Sequence, residues 1–305
     1  MTGADSLPLR SLRDKLAGRT FVLTAEITPP VSGDPARLLE KALPFRGLAD
    51  ALNVTDGASA RSHMCALAAG AILVRHGIEP IMQITARDRN RIAIQSDVMG
   101  AAALGIDNFL FMAGDPPTAG DQPEAKGVFD LGSAEMMTMV RRMRDEASLP
   151  SGRAVTGGLD RVLIGAADMP IDPLPGWEPK GLAAKVAAGA GFAQTQFCMD
   201  TAIARRYVAR LAEHGLTSRI GLIIGVVPLK SAKSAAWIKQ HLFGSIIPDA
   251  FVTRMEQSAD PAAEGRRICI EVIDELRTIP GVAGTHVMAP GNEPAAVDVL
   301  AAVQR

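Results

Sequence analysis

At 305 residues, the chain is long enough for one large domain or two modest ones. It carries 32 Lys and Arg against 33 Asp and Glu, and this balance argues against the basic stripe with which a nucleic-acid-binding protein neutralises phosphates. Its three widely spaced cysteines suggest neither a disulfide framework nor a zinc motif, and no stretch approaches the roughly 18 apolar residues of a membrane span. We therefore expect a cytoplasmic protein with no nucleic-acid or membrane partner.

Apolar segments rich in β-branched residues alternate with Ala-rich helical segments from end to end. The predicted strands are 21–27, 49–55, 79–85, 108–114, 161–167, 192–197, 220–226 and 283–288. Helices are predicted over 34–45, 62–77, 90–105, 181–190 and 201–215. This alternation predicts an α/β fold, and eight strands in this length match a TIM (β/α)8 barrel better than an open doubly wound sheet. A Rossmann-like sheet stays open as the alternative, although no GxGxxG follows the first strand.

We expect one domain over residues 1–305, with residues 1–18 as an N-terminal extension. Two connections are longer than the others, 116–132 after the fourth strand and 168–180 after the fifth. Both are rich in Pro, Gly and Asp. Long loops in compact domains are usually functional, so both are expected near a site.

Polar residues recur where the predicted strands end, which is where TIM barrels place their chemistry. They are Glu26, Thr55, Asp56, Gln83, Thr85, Asp115, Gln196 and His286. Any one of them alone could be a helix cap or the start of a turn. Together on one rim they predict a polar pocket with carboxylates and carboxamides, suited to holding a nitrogen heterocycle and moving a proton.

A cluster of basic residues lies where the third strand hands over to a helix. Arg87, Arg89, Asn90 and Arg91 stand together there. Arginines beside a helix N-terminus favour an anion site, and phosphate is the usual anion. The alternative is a solvated helix start in which Asp88 pairs with an arginine.

Several short motifs resemble one known family. They are AEITPP (25–30), LNVTDGA (52–58), ITARDRNRIAIQSD (84–97), MAGDPP (112–117), AQTQF (193–197) and GVVPLKS (225–231). With them, the sequence from about residue 19 onwards resembles methylenetetrahydrofolate reductases, which are flavin-dependent TIM barrels. The DRN segment and GVFDL (127–131) are most similar to the bacterial branch that includes the acetogen enzymes.

The resemblance implies a reaction and three central residues. Glu26 matches the general acid that opens the five-membered ring of methylenetetrahydrofolate, and this would explain a carboxylate inside an apolar strand. Asp115 matches an aspartate that holds the pterin, and Gln196 matches a glutamine that contacts folate and nicotinamide. The implied co-substrate is NADH or NADPH, the implied cofactor is FAD, and a dimeric or tetrameric homo-oligomer is expected by analogy.

The resemblance also implies a set of flavin contacts. They are Thr55, Gln83, Thr85, Met112, Ala113, Gly114, Asp115, Phe129, Ala167 and Lys185, with Arg89 and Asn90 as candidates for the flavin phosphate. The chain departs from the best-known members at several of these positions: Gln83 replaces a histidine, Ala113 an arginine and Asp56 a tyrosine. FMN in place of FAD, or direct hydride transfer without a flavin, therefore stays open.

Two functions of other classes stay open. The chain could be a folate- or flavin-binding subunit that works only with a partner protein. It could also be a barrel lyase or aldolase that binds a phosphorylated substrate at the arginines. A Schiff-base aldolase would need a lysine within a strand, and the predicted strands contain none.

Overall fold

Residues 11–304 are described by a computed structural model, and their strands close into a barrel in chain order. The strands are β1 Val22–Ile27, β2 Ala51–Val54, β3 Pro80–Thr85, β4 Asn108–Met112, β5 Leu163–Asp168, β6 Phe192–Phe197, β7 Gly221–Val226 and β8 Val282–Val287. All neighbours pair in parallel, and β1 pairs with β8 through Thr24 and His286. The predicted TIM barrel is confirmed, and this closure excludes the open Rossmann-like sheet.

Helices surround the barrel. They are α1 Leu12–Ala17, α2 Pro35–Ala42, α3 Ala66–Arg75, α4 Arg91–Ala103, α5 Ser133–Asp145, α6 Lys180–Ala187, α7 Thr201–Glu213, α8 Ala232–His241, α9 Asp249–Gln257, α10 Pro261–Arg277 and α11 Glu293–Val303. The sixth strand coincides with its prediction. The helix predicted from residue 62 begins only at Ala66, because the Met64 N–H is bonded to the Pro30 carbonyl and the preceding chain is not helical.

The helices bury the outward face of the strands. Residues alternate between the two faces of a strand, so Leu23, Ala25 and Ile27 of β1 point towards α-helices while Val22 and Thr24 point inwards. The outward set joins one large apolar cluster with residues from most of the helices. Burial of these side chains supplies most of the stabilisation of the fold.

The inward face is layered. The lowest layer is apolar and contains Leu12, Val22, Ala51, Ile81, Leu110, Phe192 and Ile223. Gly165 makes room in β5, since a Cβ atom there would lie 2.2 Å from the Phe192 ring. Two residues further along β1, β2, β3 and β6 the inward positions become polar, with Thr24, Asn53, Gln83 and Gln194. The barrel therefore has an apolar base and a polar upper half.

The described part of the expected N-terminal extension, residues 11–18, closes the base of the barrel. Leu12 of α1 is fully buried in the lowest layer, and its backbone N–H donates to Glu79 Oε1 at 3.0 Å. Lys15 pairs with Asp50. Removal of the Leu12 side chain is expected to cost about 2–5 kcal/mol. Residues 1–10, which also belong to the expected extension, lie outside the described residues.

Candidate active site

A cavity of about 950 Å³ opens at the carboxyl ends of the strands. Strand alternation forms it, because the residues above the apolar base face inwards at every second position. The volume is within the range of a site for a cofactor or a drug-sized ligand. The cavity therefore occupies the place where TIM barrels carry their chemistry.

Glu26 lies at the top of the inward face of β1, after Val22 and Thr24. Its side chain is 18% exposed. Gln83 Nε2 donates to Glu26 Oε2 at 3.3 Å, and His286 Nε2 lies 3.9 Å from the same oxygen. Within residues 11–304, no lysine or arginine nitrogen lies within 4 Å of this carboxyl group. A largely enclosed carboxyl without a permanent counter-charge can take up and release a proton during a reaction.

A buried polar network below Glu26 fixes the His286 ring. His286 Nδ1 lies 2.9 Å from Thr24 Oγ1, which also accepts from Gln194 Nε2 at 3.1 Å. The amides of Asn53 and Gln194 bond each other reciprocally, at 2.6 and 3.1 Å. A neutral His286 that accepts the Thr24 hydroxyl at Nδ1 carries its proton at Nε2, on the side of Glu26.

Asp115 and Gln196 also line the cavity. Gly114 adopts φ +84°, which suits glycine, and turns the chain after β4 so that the exposed Asp115 reaches the cavity edge. Gln196 follows Gln194 on the inward face of β6. Its Oε1 accepts from the Phe197 N–H at 3.0 Å, and its Nε2 has no partner among residues 11–304. The structure thus brings Glu26, Asp115 and Gln196 around one cavity.

The expected phosphate contacts of Arg89 do not agree with the structure. Arg89 bonds both oxygens of Asp56, at 2.6 and 3.2 Å, and its Nε donates to Asp97 at 2.7 Å. Thr85 adds two hydrogen bonds to the same Asp56 carboxylate. Arg89 is absent from the cavity wall. Its positive charge is therefore neutralised inside the protein.

The helix start beside Arg89 is also satisfied internally. The Asn90 side chain accepts from the N–H groups of Ile92 and Ala93 as the N-cap of α4. Asp130 accepts from the Arg91 N–H and pairs with its guanidinium. Arg87 Nη2 pairs with Asp88 at 2.6 Å. Asp88 pairs with an arginine, as in the stated alternative, and these internal pairs argue against the anion site at this helix start, which stays a prediction.

The segment from β5 to α6 supplies the opposite wall. Lys185 Nζ donates to the Ala167 carbonyl at 2.6 Å and, among residues 11–304, has no carboxylate within 4 Å. The Tyr207 hydroxyl donates to Asp168 Oδ2. Burial and the adjacent Asp168 carboxylate raise the pKa of Tyr207, so the phenol stays protonated. The Trp177 ring packs against Tyr207, with centroids 5.8 Å apart.

Most of the residues predicted to contact a flavin line the cavity. They are Thr55, Gln83, Thr85, Met112, Gly114, Asp115, Ala167 and Lys185. Arg89, Asn90, Ala113 and Phe129 do not line it. The Phe129 N–H donates to the Ala86 carbonyl, and Ala113 accepts from the Arg87 N–H, so both belong to the backbone pairing beside the site.

Sequence reasoning assigned no role to several residues of the cavity wall. Asn53 and Gln194 are signalled only by their inward register in β2 and β6. Trp177 and Lys180 lie within the long connection 168–180 that was expected to be functional. Asp168 was expected to begin that loop, but it ends β5.

Within residues 11–304, no group of three or more His, Cys, Asp or Glu side chains could hold a metal ion. Over the same range, none of the helices combines the length and apolar character needed to cross a bilayer. None of the eight strands contains a lysine, so the Schiff-base position that an aldolase would need is missing from this barrel.

Comparison with solved structures agrees with the fold. A protein from Clostridium thermocellum, described as uncharacterized and as binding two copies of 5-methyl-5,6,7,8-tetrahydrofolic acid, superposes with a TM-score of 0.70. The match covers 96% of this chain and 99% of that chain at 14% sequence identity. DmoA from Hyphomicrobium sulfonivorans reaches a TM-score of 0.54 at 11% identity, over 93% of this chain and 88% of that chain.

The EDTA monooxygenase EmoA from Chelativorans sp. BNC1 also reaches 0.54, at 12% identity, over 92% of this chain and 93% of that chain. At these identities the likeness establishes the fold alone. The family comparison goes further, since the model described as methylenetetrahydrofolate reductase matches residues 11–304. The chain therefore belongs to the methylenetetrahydrofolate reductase family.

Proposed function

We propose that this chain reduces methylenetetrahydrofolate to methyltetrahydrofolate with NADH or NADPH, and that Glu26 is the general acid. The observation that carries this proposal is the Glu26 carboxyl group, 18% exposed and without a lysine or arginine partner within residues 11–304, at the head of a polar cavity. Family membership supports folate chemistry. The C. thermocellum protein, which binds a methylated folate, adds support at the level of the fold.

Glu26 would supply the proton that opens the substrate ring. Its Oε2 already accepts from Gln83 and faces His286, so Oε1 is the oxygen that can carry a transferable proton. The proton goes to the nitrogen whose bond to the methylene carbon breaks, and the lone pair of the other nitrogen forms the iminium. The carboxylate left behind would be stabilised by the hydrogen bond from the Gln83 amide.

Asp115 and Gln196 would orient the pterin. The Asp115 carboxylate accepts hydrogen bonds and can hold an edge that presents N–H donors. Gln196 Nε2, without a partner among residues 11–304, can donate to a carbonyl or ring nitrogen of the same ligand. Both side chains line the cavity that contains Glu26, so one heterocycle can contact all three. Orientation of this kind contributes to rate by fixing the reacting atoms together.

The cavity residues fit a flavin. The Thr55 hydroxyl is buried, lines the cavity and has no hydrogen-bond partner among residues 11–304. A ring edge with polar atoms would satisfy this orphaned group. Thr55, Gln83, Met112 and Ala167 would hold the ring system, and a bound flavin would relay a hydride from the nicotinamide to the folate. FAD is the cofactor that we propose.

The proposal is tested with purified protein under anaerobic conditions. We expect NADH or NADPH to be oxidised beyond one equivalent per protein only when methylenetetrahydrofolate is present, and Glu26→Gln to lower the rate of this turnover about 100-fold or more. Glu40→Gln is the matched control, because Glu40 is an exposed residue that pairs with Arg37 on α2. A Glu26→Gln protein with the wild-type rate would overturn the role of Glu26.

The visible absorbance spectrum separates the alternatives. Flavin bands that bleach with the nicotinamide and return with the folate support the flavin-dependent reaction. A colourless protein that turns over points to direct hydride transfer. A protein without turnover that becomes active only with added cell extract points to a subunit that needs a partner.

A further inference from the structure

Exposed apolar side chains concentrate on two surfaces at the carboxyl rim of the barrel. Of the ten large hydrophobic side chains that are exposed within residues 11–304, six belong to these surfaces. The basic surface consists of Met169, Lys230, Lys233, Trp237 and Phe243, in the segments that follow β5 and β7. The acidic surface consists of Ile92, Asp121, Glu124, Val128 and Phe129, in the segments that follow β3 and β4. The roles proposed above for the cavity residues use none of these side chains.

Helix α8 carries most of the basic surface and is additional to the regular alternation of strands and helices. The regular helix position after β7 is taken by α10, which packs against β7 and β8. Both ends of α8 lie at the rim instead. Its N-cap Ser231 follows closely on the end of β7, and its C-cap Leu242 lines the cavity. Ala235 and Ile238 turn inwards and join the apolar core, so Trp237 faces solvent.

The two aromatic side chains of the basic surface are exposed but held in place. Trp237 is 54% exposed, and its ring stacks on His241 with centroids 5.0 Å apart. Phe243 is 85% exposed on the turn that ends α8. In this turn Gly244 adopts φ +79°, and a Cβ atom there would clash with Met169 Sδ, so the chain packs closely behind Phe243. Positioned aromatic side chains of this kind suit interface anchors, because little conformational freedom remains to be lost on binding.

The basic surface lies in a stretch without acidic residues. Residues 214–248 contain no Asp or Glu, although the whole chain has a net charge of −1. Lys230 and Lys233 are exposed and have no carboxylate partner among residues 11–304. Lys239, in contrast, pairs with Asp249. Two unpaired lysines beside exposed aromatic rings favour a partner surface that is both apolar and negatively charged.

The acidic surface offers the complementary charge. Asp121 and Glu124 are exposed on the long connection 116–132 and have no lysine or arginine partner among residues 11–304. Asp115, just before this connection, is exposed and likewise unpaired over that range. Lys126 is the one lysine or arginine in the sequence of the connection. The net charge of this surface is therefore negative.

Contacts with α4 place apolar side chains beside these carboxylates. Asp130 accepts from the Arg91 N–H at 2.9 Å and pairs with its guanidinium, which ties the connection to the first turn of α4. The next residue, Ile92, is 69% exposed. The Val128 N–H donates to the Arg87 carbonyl at 2.7 Å, so this part of the connection is fixed to the chain after β3. The acidic surface therefore presents positioned apolar side chains together with negative charge.

We infer that the basic surface of one copy of this chain docks on the acidic surface of a second copy, and the reverse, in a two-fold symmetric dimer. Such an arrangement is closed, because each copy uses both of its surfaces. Contact of α8 with its own counterpart would instead bring Lys230 and Lys233 of both copies together, and like charges repel. Docking of basic on acidic removes the exposed apolar side chains of both surfaces from water, and the charges fix the register.

The dimer would border the cavity without closing it. Asp115, beside the acidic surface, and Met169, in the basic surface, both line the cavity, so the partner copy would stand at the edge of its mouth. The segments that follow β1 and β2 belong to neither surface, which leaves that side of the mouth for the entry of ligands. The inference goes beyond the proposed function and does not depend on it.

Sedimentation velocity over a range of protein concentrations tests the inference without turnover. The wild-type protein should dimerise reversibly, and added salt should weaken the dimer. Trp237→Ser and Phe243→Ser should each raise the dissociation constant of the dimer about tenfold or more, as expected for interface anchors. Leu104→Ser is the matched control and should leave this constant unchanged, since Leu104 is an exposed apolar residue at the opposite end of α4 from Ile92.

Reversal of charge gives a sharper test. One variant carries Lys230→Glu with Lys233→Glu, and a second carries Asp121→Lys with Glu124→Lys. Each variant then presents two surfaces of like charge and should be monomeric. An equimolar mixture of the two should associate again, because the acidic surfaces of one variant meet the basic surfaces of the other. Glu40→Lys, on the exposed side of α2, is the control and should dimerise as the wild type does.

The inference is overturned if the wild type stays monomeric at every concentration, or if Trp237→Ser and both charge-reversed variants dimerise as well as the wild type. A mixture of the charge-reversed variants that stays monomeric overturns the pairing of basic with acidic surface. Wild-type monomers that bind vesicles of phosphatidylcholine and phosphatidylglycerol through Trp237 would assign the basic surface to a membrane and overturn the inference as well. A dimer with the expected variants that does not reduce the folate contradicts only the proposed function.

Discussion

Arg89, a predicted contact of the flavin phosphate, lies in a buried network of ion pairs. The Arg89 and Asp56 side chains are 14% and 7% exposed, and they form a bidentate ion pair extended to Asp97. Replacing Arg89 by Met keeps much of the volume but leaves the Asp56 carboxylate buried with only its Thr85 hydrogen bonds. Breaking a buried pair in this way costs about 3–5 kcal/mol.

This loss of stability can be measured as a decrease in the melting temperature, Tm. For 305 residues the unfolding entropy is on the order of 0.6 kcal/mol/K, so Arg89→Met should lower Tm by about 5–8 °C in calorimetry. Asp56→Asn in the Arg89→Met background removes the stranded charge and should recover much of the loss. Arg91→Met, whose pair with Asp130 is largely exposed, is the control and should change Tm far less. An unchanged Tm for Arg89→Met together with weaker flavin binding would refute this reasoning and restore Arg89 as a phosphate ligand.

Three further predictions concern pH, thiol reactivity and the neighbour of Glu26. Burial raises the pKa of the Glu79 carboxyl group above its ordinary value of 4.5, so the folded chain binds the carboxyl proton more tightly than the unfolded chain does. The free energy of unfolding therefore falls as the pH rises from 4.5 through the pKa of Glu79 in the folded chain. Urea titrations at several pH values should show this decline in wild type relative to Glu79→Gln; parallel profiles would contradict it. Of the three cysteines, only the exposed Cys65 should react rapidly with a thiol reagent in the native state, and Cys65→Ser should abolish that phase. Gln83→Leu removes the amide donor to Glu26 and should lower kcat at least severalfold with little effect on the KM for NADH; equal kcat values would exclude the contact from catalysis.

The barrel and its polar rim could be predicted from the sequence because both follow from short-range periodicity. Glu26 lies four positions after Val22 in β1, so its side chain must face inwards as that of Val22 does. The same alternation places Gln194 and Gln196 on one face of β6. The family motifs add the chemistry that those positions are expected to carry. NADH or NADPH as co-substrate and a dimeric or tetrameric assembly stay predictions.

Long-range pairing could not be predicted from the same signals. Three arginines beside a helix start look like an anion site until the folded chain brings Asp56, Asp97 and Asp130 to them. Trp177 lies in an irregular loop without periodicity, so its packing against the Tyr207 ring depends on tertiary structure alone. Leu12 similarly gives no sequence signal that it fills the barrel base.

The central claim is tested most directly by the identity of the product. Wild-type protein is incubated anaerobically with methylenetetrahydrofolate and NADH or NADPH. The folates are then separated by chromatography, and identified and quantified by mass spectrometry. The account predicts one methyltetrahydrofolate formed for each nicotinamide oxidised. Nicotinamide oxidised without a methylated product, or folate converted without nicotinamide oxidation, would contradict it.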